Sequence, residues 1–533
     1  MKKSTKYLLT FLSSISILAA CGGESGEDSA TSSIENSSAD MATTGGVLNI
    51  GLTANPSSLD PTKYTSQYES NVIRQIGDTL VTYSEDYSEF LPSLATEWTL
   101  SDDGLTYTFT LRDDVKFQSG DYQEGRLMTA EDVKYSLERS AFDSALNRLS
   151  GVESVEVSGD NEVKVHLTTP SSAFMTMLTD SGNIVIPQEE VDGWGDQFAQ
   201  NLVGTGPFSL DSMQSGQQIN LVRNDNYWGE TPNLDGVTFK IITDENMMAN
   251  SLLSGDIDIA TGIRGQNREI IDQANDVELV SIPGFSTTYL DMNMMEGPTT
   301  DPKVREAIYM ATNVEDIISG VNQWGGAEVS YSPLPKASWG YDENAKDYVP
   351  EYDPEAAQEL LSETEFADGF TIDMYLSDAR VPYGTIFQSQ MKENLNIDVK
   401  LNPQEWGTYS ETVASGRAPM NIGGWSWAPD PYFYLNQEFH SDSIGSLGNG
   451  RGYNNPEVDA LLDEALQETD QAKRTELYQE ATRIVLGEHS RIELELSENA
   501  NGVSDRVIGY PVRPDAAIEI VNNHGVNVSL DEN

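Results

Sequence analysis

Tyr107-Thr-Phe-Thr-Leu111 alternates large apolar residues with threonine, the period-two pattern of a strand that buries one face. Trp98-Thr-Leu100 precedes it across the turn Ser101-Asp-Asp-Gly104, so the two predict a hairpin. Glu153-Ser-Val-Glu-Val157 and Glu162-Val-Lys-Val-His-Leu167 alternate in the same way around Gly159-Asp160 and predict a second one. Val47-Leu-Asn-Ile50 reads as a short opening strand, and Leu80-Val-Thr-Tyr83 as a buried segment near a strand or a helix end. Helical spacing takes over elsewhere. Thr129-Ala-Glu-Asp132 has capping-box spacing, with threonine accepting from the third amide and Asp132 reaching back. Residues 301–319 read as one helix capped by Asp301, with Pro302 first and Val304, Ile308, Met310 and Ala311 on one side. Asn455-Pro456 repeats the device ahead of Val458, Leu461, Leu462, Ala465 and Leu466. A further helix, Gln471 to Leu486, carries Leu477, Ala481, Ile484 and Val485. Strands and helices mix throughout without an internal repeat, which predicts an α/β class.

At 533 residues the chain is too long for one ordinary domain, so two or three lobes are expected. Its 38% hydrophobic content is enough for sizeable cores. The formal net charge of −55 repels phosphate backbones and anionic lipid, which argues against nucleic-acid partners and is compatible with a salty medium. One cysteine and four scattered histidines (166, 440, 489 and 524) offer no metal cage, and no metal or cofactor is expected. Met292, Met294 and Met295 read as core near a strand rather than as a soft-metal site. Gly204-Thr-Gly-Pro207 puts a proline where a phosphate loop needs an amide.

The N-terminus sets the compartment. Lys2, Lys3 and Lys6 precede an apolar stretch from Tyr7 to Ile17, followed by Leu18-Ala-Ala-Cys21. A basic start, a short apolar segment and small residues at a cut site predict a secretory signal peptide over 1–20. Leu-Ala-Ala-Cys resembles the bacterial lipobox, which implies lipidation of Cys21 and an extracytoplasmic protein anchored to the cell membrane. Residues 21–46, almost free of large apolar groups, then read as a flexible tether.

Candidate chemistry centres on "NIGGWSWAPDPYFYL", residues 421–435. Gly424-Trp-Ser-Trp-Ala428 falls one residue short of the G-x-S-x-G nucleophile elbow and needs a histidine and an acid nearby in space. Without that support the chain is read as a binding protein and not an enzyme. Trp425 and Trp427 then serve either as flat ligand walls or as interlobe core, and Asp430 either as a ligand group or as a turn residue.

Residues 95–138, "ATEWTLSDDGLTYTFTLRDDVKFQSGDYQEGRLMTAEDVKYSLE", resemble the signature of the extracytoplasmic solute-binding proteins of peptide-type ABC importers, the peptide/nickel-binding family 5. Arg112, Asp114, Val115, Phe117 and Gly120 fall in the expected places, and Ser119 departs from an Asp or Asn. "PSSLDP" (56–61), "GTGPFSL" (204–210), "LVRNDNYWG" (221–229), "LLSGDIDIA" (252–260), "DPKVREAIYMATN" (301–313, with Asn313 for the usual Asp), "YDPEAAQELL" (352–361), "NNPEVDALLDEA" (454–465) and "KRTELYQEA" (473–481) follow in family order. The resemblance implies a two-lobed periplasmic-binding-protein-like fold of type II. Lobe one would comprise 47–285 plus 500–533, with an inserted subdomain at 86–203, and lobe two 286–499. It also implies a monomer that captures oligopeptides between the lobes and delivers them to an ABC permease driven by separate ATPase subunits. An oligosaccharide binder and a tethered sensor without transport are the alternatives. The segment matching 421–435 crosses the cleft in peptide-binding relatives and supplies an Asp for the peptide amine. Here that position falls at about Trp427, between Ser426 and Ala428. Trp425, Ser426, Trp427 and Asp430, with Asn55, Pro56 and Tyr64 from the other lobe, are the implied ligand-binding residues. Trp406, Arg417 and Tyr453 are rim candidates without a motif.

Overall fold

A computed structural model describes residues 45–531 except 145, 147 and 405. The leader, Cys21 and nearly all of the tether lie outside the described residues.

Eleven strands form one sheet, and two of them organise it. Val277–Met292 and Arg491–Ser504 run antiparallel for most of their length, from Val277 opposite Ser504 to Asp291 opposite Arg491. Their pairing slips between Pro283 and Ser286, where Gly284 faces the Ser497 carbonyl too closely for a side chain. On one flank of this pair the sheet continues through Ile259–Ala260 to Val47–Leu52, Gly236–Ile241, Gln218–Arg223 and Phe208–Gln214. On the other it continues through Met420–Ser426 to the parallel strands Thr371–Ser377 and Asp398–Gln404. The long pair is therefore the only sheet connection between the two flanks among the described residues.

Each flank has its own apolar core. Leu48, Ile50, Phe208, Phe239 and Ile259 pack with Ile73 and Ile76 of the helix Gln67–Ile76, and with Ile518, Ile520 and Leu530 from the C-terminal return. Leu290, Met292, Ile308, Met374, Phe387, Ile422 and Ile492 fill the second. Complete burial of each such side chain contributes about 1.5–3 kcal/mol before conformational entropy is counted.

A third core joins distant parts of the sequence. The four-stranded antiparallel sheet of 95–100, 106–111, 162–167 and 152–159 contains both expected hairpins. The helix Ala130–Asp143 packs beside it, opened by the capping box of Thr129 and Asp132. Phe109, Leu137 and Phe174 of this layer share one core with Phe433, Leu462, Tyr478 and Val485, which lie in the segment expected for lobe two. Ser172 fastens the junction, with its amide and hydroxyl both donating to the Leu466 carbonyl at 2.9 Å.

Two sequence expectations change here. Residues 301–319 are two helices, Pro302–Met310 and Val314–Val321. The apolar period runs through the junction, but Asn313 accepts from the Asp316 amide and starts the second helix as its N-cap. Tyr453 is wholly buried rather than at a rim, with its ring edge-on to Phe439. Arg417, by contrast, is exposed and pairs with Glu411. Gly204-Thr-Gly-Pro proves to be a structural knot: Gly206 donates to the Ile76 carbonyl at 2.8 Å, and a Cβ on Gly204 would lie 2.4 Å from that oxygen. Met292 lies in the second core and Met294 packs against the third, while Met295 is half exposed.

Candidate functional site

Met420–Ser426 pairs with the long strand 277–292 so that Trp425 faces Thr287 and Gly423 faces Tyr289. Both glycines are required by contact. A Cβ at Gly423 would sit 2.5 Å from the Tyr289 ring, and one at Gly424 would sit 2.2 Å from an Arg380 guanidinium nitrogen and 2.8 Å from the Thr287 carbonyl oxygen. Beyond Gly424 the chain leaves the core: Trp425 and Trp427 are half-buried and Ser426 is exposed.

The next helix, Tyr432–Phe439, holds this exit from behind. The Trp425 indole N–H donates to the Phe433 carbonyl at 2.6 Å. The Trp427 ring lies nearly parallel to that of Phe433, with centroids 5.6 Å apart and planes 11° apart. The Trp427 amide donates to the Tyr434 hydroxyl at 3.2 Å, which in turn donates to the Phe285 carbonyl at 2.8 Å. Two flat apolar surfaces are thus fixed in orientation, with Ser426 between them. Fixed aromatic faces of this kind present large area at little entropic cost on binding.

Asp430 is 3% exposed and pairs with Arg474 at 3.0 Å while accepting from the Tyr432 amide. Burial pushes its carboxyl above the ordinary value, against the pull of Arg474. The one acid between 421 and 435 is therefore committed inside the fold. Glu438 is wholly buried too, beside Arg491.

Ser426 has no base. No hydrogen bond among the described residues reaches its hydroxyl, and the four histidines are engaged elsewhere. His166 meets Thr106, His440 meets Asp463, His489 packs on Tyr309, and His524 meets the Pro92 carbonyl. The arrangement offers no activated nucleophile.

On the other flank, Asn55 is exposed, and its side-chain oxygen Oδ1 accepts from the Gly216 amide at 2.8 Å, tying it to the turn before Gln218–Arg223. Pro56 is buried. Tyr64 is 4% exposed; its hydroxyl donates to Asp180 at 2.7 Å and accepts from Ser181, while the Arg148 guanidinium lies 3.8 Å from its ring centroid. Desolvation pushes this phenol well up. Trp425, Ser426, Trp427 and Asp430 therefore form one unit. No hydrogen bond or ring contact among the described residues joins Asn55, Pro56 or Tyr64 to it.

Arg380 is the residue that the sequence reading missed. It is half-buried, and no hydrogen bond or ion pair among the described residues engages it. Its charge is felt by Tyr383 and Tyr409. The strand pairing of Tyr375 with Asn421 brings Arg380, five residues later, beside Gly424, three residues later. No local pattern marks it, because the juxtaposition arises only from that pairing. No helix of the described residues is long and apolar enough to cross a membrane, and none of their His, Cys, Asp and Glu side chains cluster to hold a metal ion.

Comparison with known proteins places this geometry. The family described as bacterial extracellular solute-binding proteins, family 5, matches residues 89–446. The probable D,D-dipeptide-binding periplasmic protein DdpA of Escherichia coli is 32% identical over 488 residues, 88% of this chain and 92% of that protein. Heme-binding protein A of Haemophilus influenzae is 29% identical over 96% of this chain and 97% of its own. Among solved structures, the periplasmic binding protein DppA of Helicobacter pylori in complex with the peptide STSA superposes with a TM-score of 0.81 at 28% identity, covering 92% of this chain and 99% of that one. The chain belongs to the family 5 extracellular solute-binding proteins, and its α/β architecture is the two-lobed periplasmic-binding-protein-like fold.

Proposed function

We propose that this protein is the substrate-binding subunit of an ABC importer, which captures short peptides or peptide-like solutes between its lobes and presents them to a membrane permease. The observation that carries this reading is Arg380, half-buried and without a partner among the described residues, beside the backbone of Gly424 on the strand that bears Trp425 and leads into Trp427. In a chain with 86 acidic side chains, a guanidinium left unpaired in such a place suits a ligand carboxylate, which it can grip bidentately. The tryptophan faces then take apolar or flat parts of the ligand, with Ser426 offering a hydroxyl between them. Asn55 and Pro56 would border the site from lobe one, whereas Tyr64, spent on Asp180 and Arg148, would support it from within. The relative named for D,D-dipeptides and the neighbour holding STSA support the peptide class. Lipidation of Cys21 would keep the protein at the membrane, and closure would be a population shift set by the ligand's preference for the closed form.

A second reading is a sugar or sugar-conjugate ligand. The commitment of Asp430 to Arg474 favours it, since no free acid remains on 424–431 to meet a peptide amine, and tryptophans suit sugar faces. Calorimetric titration of the protein with short peptides, their N-acetylated forms and oligosaccharides separates the two. Peptide binding that is lost in Arg380→Ala supports the first reading, and binding of oligosaccharides alone refutes it.

A further inference from the structure

A polar cavity lies away from the tryptophan strand. It has a volume of about 90 Å³ and is walled by the end of the helix Gln67–Ile76, by the strand Val81–Tyr83 and by the C-terminal return at 518–524. None of its lining residues belongs to the site described above.

Its charges are unequal in how they are satisfied. Asp78 lines the cavity but accepts from Thr205 at 2.8 Å, Trp228 at 2.9 Å and Tyr227 at 3.1 Å. Glu519 is held by Arg513 at 2.6 Å. The His524 ring nitrogen Nε2 meets the Pro92 carbonyl at 3.1 Å. Arg74 is different. No carboxylate pairs with it among the described residues, its Nε is buried without a partner, and its one hydrogen bond is a long 3.3 Å contact to Ser70. Three neutral donors face the same space unused: no hydrogen bond among the described residues engages the hydroxyls of Thr82 and Ser93 or the side-chain N–H groups of Asn522, whose oxygen already accepts from the His524 and Val526 amides.

We propose that this cavity binds a small tetrahedral oxyanion of the phosphate class, held by Arg74 with Thr82, Ser93 and Asn522. The donors outnumber the available acceptors, which is the chemistry an oxyanion completes and a cation does not. The volume admits several atoms, since a single water needs only about 10–15 Å³ on the same measure. Bound there, the anion would bridge the helix end and the C-terminal return, so its first effect is on stability. An anion facing a protein of net charge −55 is held by local contacts rather than by the overall field, so binding should survive added salt better than a surface ion pair does.

The test is thermal unfolding of the full chain with inorganic phosphate, glycerol 3-phosphate or acetate, each at ionic strength matched with chloride. Phosphate is expected to give a saturable rise in Tm of about 2 °C. Arg74→Gln and Asn522→Asp should each abolish it; the latter keeps the oxygen that its neighbours need and brings a carboxylate into the cavity, so it decides the matter where Arg74→Gln fails to fold. A response to glycerol 3-phosphate as large as that to phosphate assigns the site to phosphate esters as well, and a response to phosphate alone assigns it to the free anion. No saturable response in the wild type, a response to acetate alone, or equal responses in wild type and Asn522→Asp overturns the proposal.

Discussion

Glu493 should make the stability of the protein fall as pH rises through neutrality, and Glu493→Gln should remove that fall. The residue is 1% exposed on the long strand 491–504, opposite Tyr289, and neither carboxylate oxygen has a hydrogen-bond partner among the described residues. Two arginines and two other acids share its surroundings. Arg491 pairs with Asp291 at 2.7 Å and with Glu438 at 2.9 Å, and Arg451 approaches Asp291 at 3.4 Å. Those four charges balance, so Glu493 is the surplus acid, and burial pushes its carboxyl up to about 8 from an ordinary 4.5, despite the pull of Arg491. A folded-state value above the unfolded one means that the fold holds a proton that the unfolded chain releases. The contribution is unaffected below 4.5 and is lost as pH rises to about 8, at about 1.4 kcal/mol per pH unit and about 5 kcal/mol in total. Glutamine keeps the shape and cannot ionise. Denaturant unfolding of wild type and variant at intervals from pH 5 to 9 isolates the effect, because titrations of groups not coupled to Glu493 cancel in the difference. That difference should move in favour of the variant by about 1.4 kcal/mol per pH unit and level off above pH 8. Parallel profiles would mean that Glu493 is ionised in the folded protein, and would refute the argument from surplus charge.

Other changes separate the site from its scaffold. Asp430→Asn leaves Arg474 buried without its counter-charge and should cost about 3–5 kcal/mol in unfolding free energy, read by denaturant titration. Trp427→Ala should weaken ligand binding about ten-fold in calorimetry with little change in the ligand-free Tm, since its ring is half-buried at the edge of the core and stacks on Phe433; a large drop in Tm with affinity intact would make it core. Gly424→Ala should displace Arg380 and reduce carboxylate binding more than stability, measured by the same two assays. Asn313→Ala should remove the cap of Val314–Val321 and cost about 1 kcal/mol, with no effect on affinity.

The hairpins, the Thr129 capping box and the Asn455-Pro456 helix start were legible because each is local: alternation, caps and fixed proline geometry act over a few residues. The break at Asn313 was less so. The apolar period continues across it, and the cap that interrupts the helix is a single hydrogen bond that a periodicity does not register. Arg380 and the shared core of 80–185 with 433–485 were out of reach for a different reason. Both depend on which strands and layers meet, and residues 44 or about 300 apart in sequence carry no mutual signal in a single chain. Tyr64 shows the converse case: its position beside "PSSLDP" suggested a cleft wall, whereas the Arg148 and Asp180 that occupy its ring and hydroxyl come from the inserted layer.

The same distinction bears on the ligand. A sequence gives the number of acids near the strand Met420–Ser426, but not which of them are free. Asp430 sits three residues beyond Trp427, close enough to suggest that it could take over an amine-binding role. The ion pair with Arg474 and the bond from the Tyr432 amide hold it in the core instead, so recruiting it would mean breaking a buried pair for one new contact. Arg380, which has no such partner among the described residues, would give up hydration but no ion pair on meeting an anionic group. On the proposed reading the site is therefore asymmetric: Arg380 would recognise charge at the carboxylate end, and a flat apolar surface would stand where an ammonium would otherwise be met. N-acetylation of a peptide ligand should consequently leave its affinity within about two-fold, whereas amidation of the carboxylate should weaken it by ten-fold or about 1.4 kcal/mol, both read by calorimetry. A strict requirement for a free amine would refute this asymmetry even if the carboxylate dependence held.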